Sequence, residues 1–198
     1  MHVTKHSQTG KLKGFQSINT DTTTNAFCIK NAELGNGICK YCYARRLLKF
    51  RKTTQQALAR NSIELSQRLL TKREIVQIKL EGDYIRFHSF GELINKIHFR
   101  NFANIAKANP SKNFALWTKR PNLVSRPIPN NLILIFSQSQ LNVKKPTIPP
   151  MFHKTFAVYT KEYIKEHNIE INCHIDCKDC LLCYEKENYV KVIREKKK

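Results

Sequence analysis

Apolar positions along the chain recur in two rhythms, and the change between them predicts the order of elements. Leu47, Leu48, Leu58, Leu65 and Leu69 return at roughly helical spacing, and neither Gly nor Pro occurs from 38 to 81. That stretch predicts a helical region. "EIVQIKL" (74–80) fits either a strand or a helix end. "YIRFHSF" (84–90) alternates and predicts a strand. In "INKIHFRNFANIAKA" (94–108), Ile94, Ile97, Phe102, Ile105 and Ala106 share one face of an amphipathic helix, stopped by Asn109-Pro110. "NFALWTKRP" (113–121) reads as strand and turn. "NNLILIFSQS" (130–139) is a continuous apolar run, as expected of a strand buried on both faces. "KTFAVYT" (154–160) predicts another strand, "KEYIKEHN" (161–168) a short helix and "IEINC" (169–173) a last short strand.

Strands alternating with helices or loops predict an α/β fold with a parallel sheet. The strands end in polar residues, His88-Ser89, Thr118-Lys119, Ser137-Gln138 and Tyr159-Thr160. In such folds chemistry sits at the C-terminal ends of the strands. The chain has 198 residues, short of the roughly 250 of a complete eight-stranded barrel. The expected fold is therefore a partial, open TIM-like barrel of parallel strands. Residues 1–25, with "NTDTTTN" at 19–25, read as a polar arm. Residues 26–184 read as a single α/β metal-binding domain. It opens with a cysteine-rich loop from Cys28 to Cys42 carrying Gly35 and Gly37, and closes with a second cysteine cluster. Residues 185–198 read as a basic tail, helical or frayed. There is no internal repeat and no Gly-rich phosphate loop.

Charge changes the picture. Thirty-five Lys and Arg against 15 Asp and Glu give a formal net charge of +20. No acid occurs from 34 to 63, against seven Lys and Arg, nor from 93 to 161, against eleven. A field of that sign attracts nucleic acid; a Lys-rich, AT-biased genome is the alternative source of the charge. Arg45, Arg46, Lys49 and Lys52 are the candidate phosphate contacts, with residues 45, 49 and 52 on one helix face. Tyr41, Tyr43 and Trp117 are either base-stacking platforms or core. Scarce carboxylates argue against hydrolase or two-metal nuclease chemistry. Hydrophobic content of 41% argues against disorder. No apolar run approaches the roughly 20 residues of a membrane span, and "MHVTKHSQTGKLKGF" lacks the core of a signal peptide. The expected location is cytoplasmic, with no membrane partner.

Seven cysteines fall in two groups. Cys28, Cys39 and Cys42 form C-x10-C-x2-C; Cys173, Cys177, Cys180 and Cys183 form C-x3-C-x2-C-x2-C. Four thiolates within eleven residues suit an iron–sulfur cluster or zinc. A zinc site built from Cys39/Cys42 and a pair from the tail is the alternative grouping. Three ligands on a four-iron cluster leave one iron open, which is what catalysis needs. His88 is either a fourth ligand or a hydrogen-bonding residue at a strand end.

The run from Cys28 to "CKYCYARR", then "IRFHSFGEL", "FALWTKRPN", "LILIFSQS" and "CKDCLLCY", resembles the bacteriophage gene product 88 family over residues 26–184. Trp117 to Pro121 is also similar to a motif of a second phage family with radical S-adenosylmethionine (SAM) ancestry. That resemblance implies a host-cytoplasmic, phage-encoded iron–sulfur protein with one or two 4Fe-4S clusters, with SAM as a further cofactor. Cys39-Lys40-Tyr41-Cys42 fits half of the radical SAM C-x3-C-x-φ-C motif; the ten-residue first spacer departs from it. Phe90-Gly91-Glu92 is similar to the edge that binds the SAM amino group. The resemblance implies catalytic roles for Glu92 and Lys119, and cofactor contacts at Tyr41, Ser89, Gly91, Glu92, Thr118 and Ser137. Glu92 as a cap of the next helix is the alternative. A degenerate radical SAM scaffold that keeps its cluster for structure or redox sensing and a zinc-stabilised, non-catalytic nucleic-acid binder are the other functional readings, with a host protein as a further partner.

Overall fold

The structure is a computed structural model and describes residues 1–7, 9–34 and 37–197; Gly35 lies outside the described residues. Strand β1 (Thr4–Lys5) leads to β2 (Gln16–Ile18), followed by α1 (Ala26–Glu33), a 3-10 turn (Ile38–Tyr41), α2 (Tyr43–Phe50), α3 (Lys52–Gln67) and α4 (Lys72–Val76). Next come β3 (Tyr84–Phe87), α5 (Lys96–Ala108), β4 (Asn113–Thr118), β5 (Leu132–Leu141), β6 (Lys154–Tyr159), α6 (Lys161–His167), α7 (Cys177–Cys180) and β7 (Val192–Lys196). The seven strands form one sheet in chain order. β1 pairs antiparallel with β2, and every later pair is parallel. The sheet is not closed.

Both faces of the sheet are covered, which explains the unbroken apolar runs of β4 and β5. Phe114, Leu116, Leu132 and Leu134 point to the helices, where Phe87 stacks on Phe102 at 4.0 Å between ring centroids. Ala115, Trp117, Ile133 and Ile135 point to the other face, against Phe15, Tyr184 and Ile193. The buried side of α5 runs through His98, Phe99, Phe102, Ile105 and Ala106, so it is turned away from Ile94 and Ile97. Asn101 on α5 donates to the carbonyls of Leu65 and Arg68 and ties it to α3.

Several sequence expectations change. Residues 1–25 are not a loose arm. β2 is wholly buried and pairs with β3. Asn19, Thr20, Asp21 and Thr22, beyond its end, are buried too. Their short polar side chains are kept inside by hydrogen bonds: Asp21 accepts from Thr23, Thr24 and Gln55. The 74–80 ambiguity resolves as a helix end, because Thr71 and Glu74 form a capping box that starts α4. Residues 169–173 form no strand, and the last strand is β7 within the supposed tail. Asn172 instead closes β7's outer edge, donating to the Val192 carbonyl at 2.9 Å and accepting from the Arg194 N–H at 2.8 Å. Cys28 lies on a helix rather than in a loop. Residues 29–33 of α1 take up half of the ten-residue spacer before Cys39.

Candidate metal centre at the strand ends

The C-terminal ends of the parallel strands all lie on one side of the sheet, and the β2, β3 and β4 ends are locked together by side chains. Asn19, just past β2, accepts from the N–H groups of Ser89 and Phe90 at 2.9 and 3.0 Å. Its amide donates to Ser17 Oγ at 2.8 Å. The Ser89 hydroxyl lies 2.8 Å from Asn19 Oδ1 and 3.0 Å from Ser17 Oγ. Ser89 is thus held within the scaffold. Gly91 follows with φ 102°, and a Cβ there would lie 2.1 Å from Thr20 Oγ1. Only glycine combines that backbone with that approach.

Glu92 is 4% exposed. Its carboxylate accepts from the Leu93 and Lys119 N–H groups, each at 2.8 Å, and from the Thr118 hydroxyl. It clasps the loop after β3 to the end of β4. It is not the helix cap, since Asn95 caps α5 by accepting from the His98 N–H. Burial pushes the Glu92 carboxyl above its ordinary pKa, and the Lys119 charge and its hydrogen bonds oppose that. Lys119 Nζ donates to Ser137 Oγ on β5 at 3.0 Å.

The first three cysteines arrive from α1 and from the 3-10 turn that follows it. Asn25 caps α1, accepting from Phe27 and Cys28, and its amide donates to the Glu92 carbonyl at 3.0 Å. Cys39 sits in the 3-10 turn and Cys42 at the start of α2. Gly37 bridges to Gln140 on β5, where a Cβ on Gly37 would lie 2.6 Å from the Ser139 carbonyl oxygen. Burial pushes the Cys28 thiol strongly up; Glu92, Cys42 and Cys39 add to this and Lys119 opposes it. Burial also raises Cys39, opposed by Lys119 and reinforced by Cys42 and Glu92. Three sulfurs, one carboxylate and one ammonium therefore share a single electrostatic neighbourhood. His88 does not join it. Its ring lies edge-on to His98 and Phe102, its Nδ1 is 3.3 Å from the Trp117 carbonyl oxygen, and burial holds its pKa down to about 3. It is a hydrogen-bonding residue of the helix-side core.

The other four cysteines lie under the opposite face of the sheet. Cys173, Cys177 and Cys183 pack with Leu181 against the cluster of Phe15, Trp117 and Tyr184. Burial raises Cys173, Cys183 and, to about 11, Cys177. Cations missed in the sequence surround them. Lys11 Nζ donates to Cys173 Sγ at 3.1 Å and pairs with Glu195. Arg86 on β3 lies over the Trp117 ring at 3.8 Å and favours the thiolates of Cys177 and Cys183. Lys154 is fully buried with its pKa lowered to about 8 by burial, which the nearby Cys183 opposes. Burial raises the thiols of both groups, with Cys42 and Glu92 adding to it at Cys28 and Cys39, and Cys173 and Cys180 adding to it at Cys177 and Cys183. Among the described residues, no three His, Cys, Asp or Glu are arranged to hold a metal ion.

The model of the family described as Gene product 88 matches residues 4–198. The chain belongs to the gene product 88 family. No curated protein and no solved structure matches it. Membership is consistent with a bacteriophage origin, and among the described residues no helix is long and apolar enough to cross a membrane.

In this gene product 88 chain the basic run is divided. α2 ends at Phe50 and α3 begins at Lys52, with Arg51 between them at φ −102°, ψ 71°. Residues 45, 49 and 52 therefore do not share one helix face. Arg45 turns towards the Ile29 carbonyl, 3.5 Å away, while Arg46 and Lys49 are exposed and Lys52 opens α3. Trp117 is buried beneath Arg86 and offers no stacking surface, whereas Tyr41 and Tyr43 are exposed.

Proposed function

We propose that the chain is an iron–sulfur protein whose N-terminal centre, on Cys28, Cys39 and Cys42, makes it a radical SAM-like enzyme or a degenerate relative acting on or near nucleic acid. What supports this reading is that Cys28 and Cys39 both feel the charges of Cys42, Glu92 and Lys119 beside the strand ends, with Asn25, the cap of α1, bonded to the Glu92 carbonyl and Lys119 bonded to Ser137. Six parallel strands added in chain order without reversal also suit a partial TIM-like barrel, open on one side. The donor set fits a metal cluster. Buried thiols resist ionisation, and metal charge offsets that cost. Three thiolates leave the fourth position of a four-iron cluster to an outside ligand.

When bound, the cluster supplies the electron for reductive chemistry on SAM, and the protein orients and shields the reactants. Glu92 is fixed by three donors, and among the described residues its Oε2 accepts the Lys119 N–H alone, which leaves a lone pair for an ammonium. Lys119, steadied by Ser137, balances negative charge beside the thiolates. Thr118, Ser89 and Gly91 act by holding this floor in place. In this reading Cys173, Cys177, Cys180 and Cys183 would supply the ligands of a second centre, either an auxiliary cluster or zinc.

One observation favours the zinc-stabilised, non-catalytic nucleic-acid binder as a second reading. The terminal cysteines pack as a staple across one sheet face, as a structural metal would. Under that reading Glu92 is scaffold alone. Glu92→Gln separates the two. Anaerobic calorimetry with SAM is expected to show binding weakened about tenfold or more, because a charge-assisted bond is lost, with the visible spectrum unchanged. Equal binding by the variant removes the amino-group role. No binding by the wild-type protein carrying its iron favours the second reading.

A further inference from the structure

The two halves of α2 face different surroundings. Ala44 and Leu48 are buried in the core. At 3.6 residues per turn, Tyr43, Arg46, Lys49 and Phe50 fall on the opposite side. Phe50 is 81% exposed and Tyr43 is 49% exposed; Arg46 and Lys49 are exposed as well. Aromatic and cationic residues thus share one solvent face, within a stretch of sequence that holds no acid. Tyr43 is already fixed. Its hydroxyl donates to the Ser89 carbonyl at 2.6 Å, and its ring meets Phe90 edge-on at 5.5 Å. Such a ring loses little freedom when a ligand stacks on it. Phe50 lies two turns on, about 10 Å along the axis.

We infer that this face of α2 is a platform for single-stranded nucleic acid, with bases stacked on Tyr43 and Phe50 and phosphates held by Arg46 and Lys49. The inference rests on the nucleic-acid part of the proposed function and names its substrate class. A duplex would satisfy the cations, but its base faces are already stacked and leave the aromatic rings unused. A lipid surface is a poorer match. Membrane-binding helices turn a broad apolar face to lipid, whereas α2 spends Leu48 and Ala44 on the core and projects one large apolar side chain. The platform also leads somewhere. Tyr43 follows Cys42 directly, so a strand laid along α2 reaches the floor of Glu92 and Lys119.

The test is fluorescence anisotropy on the full chain with a labelled single strand of about 12 nucleotides, within the span such grooves cover, and with its duplex, over a salt series. The single strand is expected to bind at least about tenfold tighter than the duplex. Phe50→Ala is expected to weaken it about 5- to 50-fold, as for one lost stacking contact, without changing the salt slope. Phe50 is exposed, so the variant's melting curve is expected to match the parent's. Arg46→Gln and Lys49→Gln are each expected to lower the slope by about 0.7. Equal affinity for duplex, unaltered by Phe50→Ala, overturns the platform and leaves phosphate contact standing. No binding of either oligonucleotide at low salt overturns the nucleic-acid reading with it. Binding to anionic vesicles that Phe50→Ala abolishes, with no preference for the single strand, overturns the platform in favour of a lipid surface.

Discussion

Replacing Cys42 by serine is expected to abolish the N-terminal centre and leave the C-terminal one loaded. Cys42 ends the 3-10 turn and begins α2, and its sulfur shares the neighbourhood of Cys28, Cys39 and Lys119. Serine keeps the backbone and removes the thiolate, the donor that holds soft metal centres. The terminal four thiols lie across the sheet among Phe15, Trp117 and Lys11 and do not depend on it. With two cubane clusters, iron is expected to fall from about eight to about four per chain. The matching variant Cys180→Ser is expected to spare the N-terminal centre. Unchanged total metal in Cys42→Ser would show that this cysteine is no ligand.

Gly91→Ala is expected to cost more stability than any other single substitution at the strand ends. A φ of 102° is poorly accessible to alanine, and its Cβ would stand 2.1 Å from Thr20 Oγ1 and 2.7 Å from the Thr20 carbonyl oxygen. Backbone strain costs about 1–3 kcal/mol and overpacking about as much again. For a domain of this size a loss of about 2–6 kcal/mol lowers Tm by roughly 4–24 °C. Relaxation would move Gly91 away from Thr20 and carry the Glu92 clasp with it. Weaker cofactor retention is therefore expected along with the lower Tm. Circular dichroism melting checks the first effect, and iron retained on gel filtration checks the second. An unchanged Tm would mean that the loop after β3 has slack the packing does not suggest.

The readable parts of the fold were those whose side chains face apolar surroundings. β4, β5 and β6 announced themselves because both sheet faces are covered, so consecutive residues such as Leu132 to Ile135 are all buried. β2 was hidden because Gln16 and Ser17 are polar yet buried, kept there by partners far along the chain such as Ser89 and the Glu81 N–H. β7 was hidden by its charges; only Ile193 among its residues is fully buried. The break at Arg51 carries no Gly or Pro, and nothing in the local sequence announces it. At the site, cysteine spacing alone divides the seven thiols into two groups. It could not give the clasp from Glu92 to Thr118, which depends on β3 and β4 being neighbours. Nor could it give Arg86, Lys11 and Lys154, whose part comes from the sheet face against which the tail folds.

The most direct test of the account is the metal content of the protein purified without oxygen, measured as iron, sulfide and zinc per chain together with the visible spectrum. The account predicts a brown protein with about four or eight irons and matching sulfide, as for one or two cubane clusters. A colourless protein holding about one zinc, as for a closed thiolate site, would contradict it.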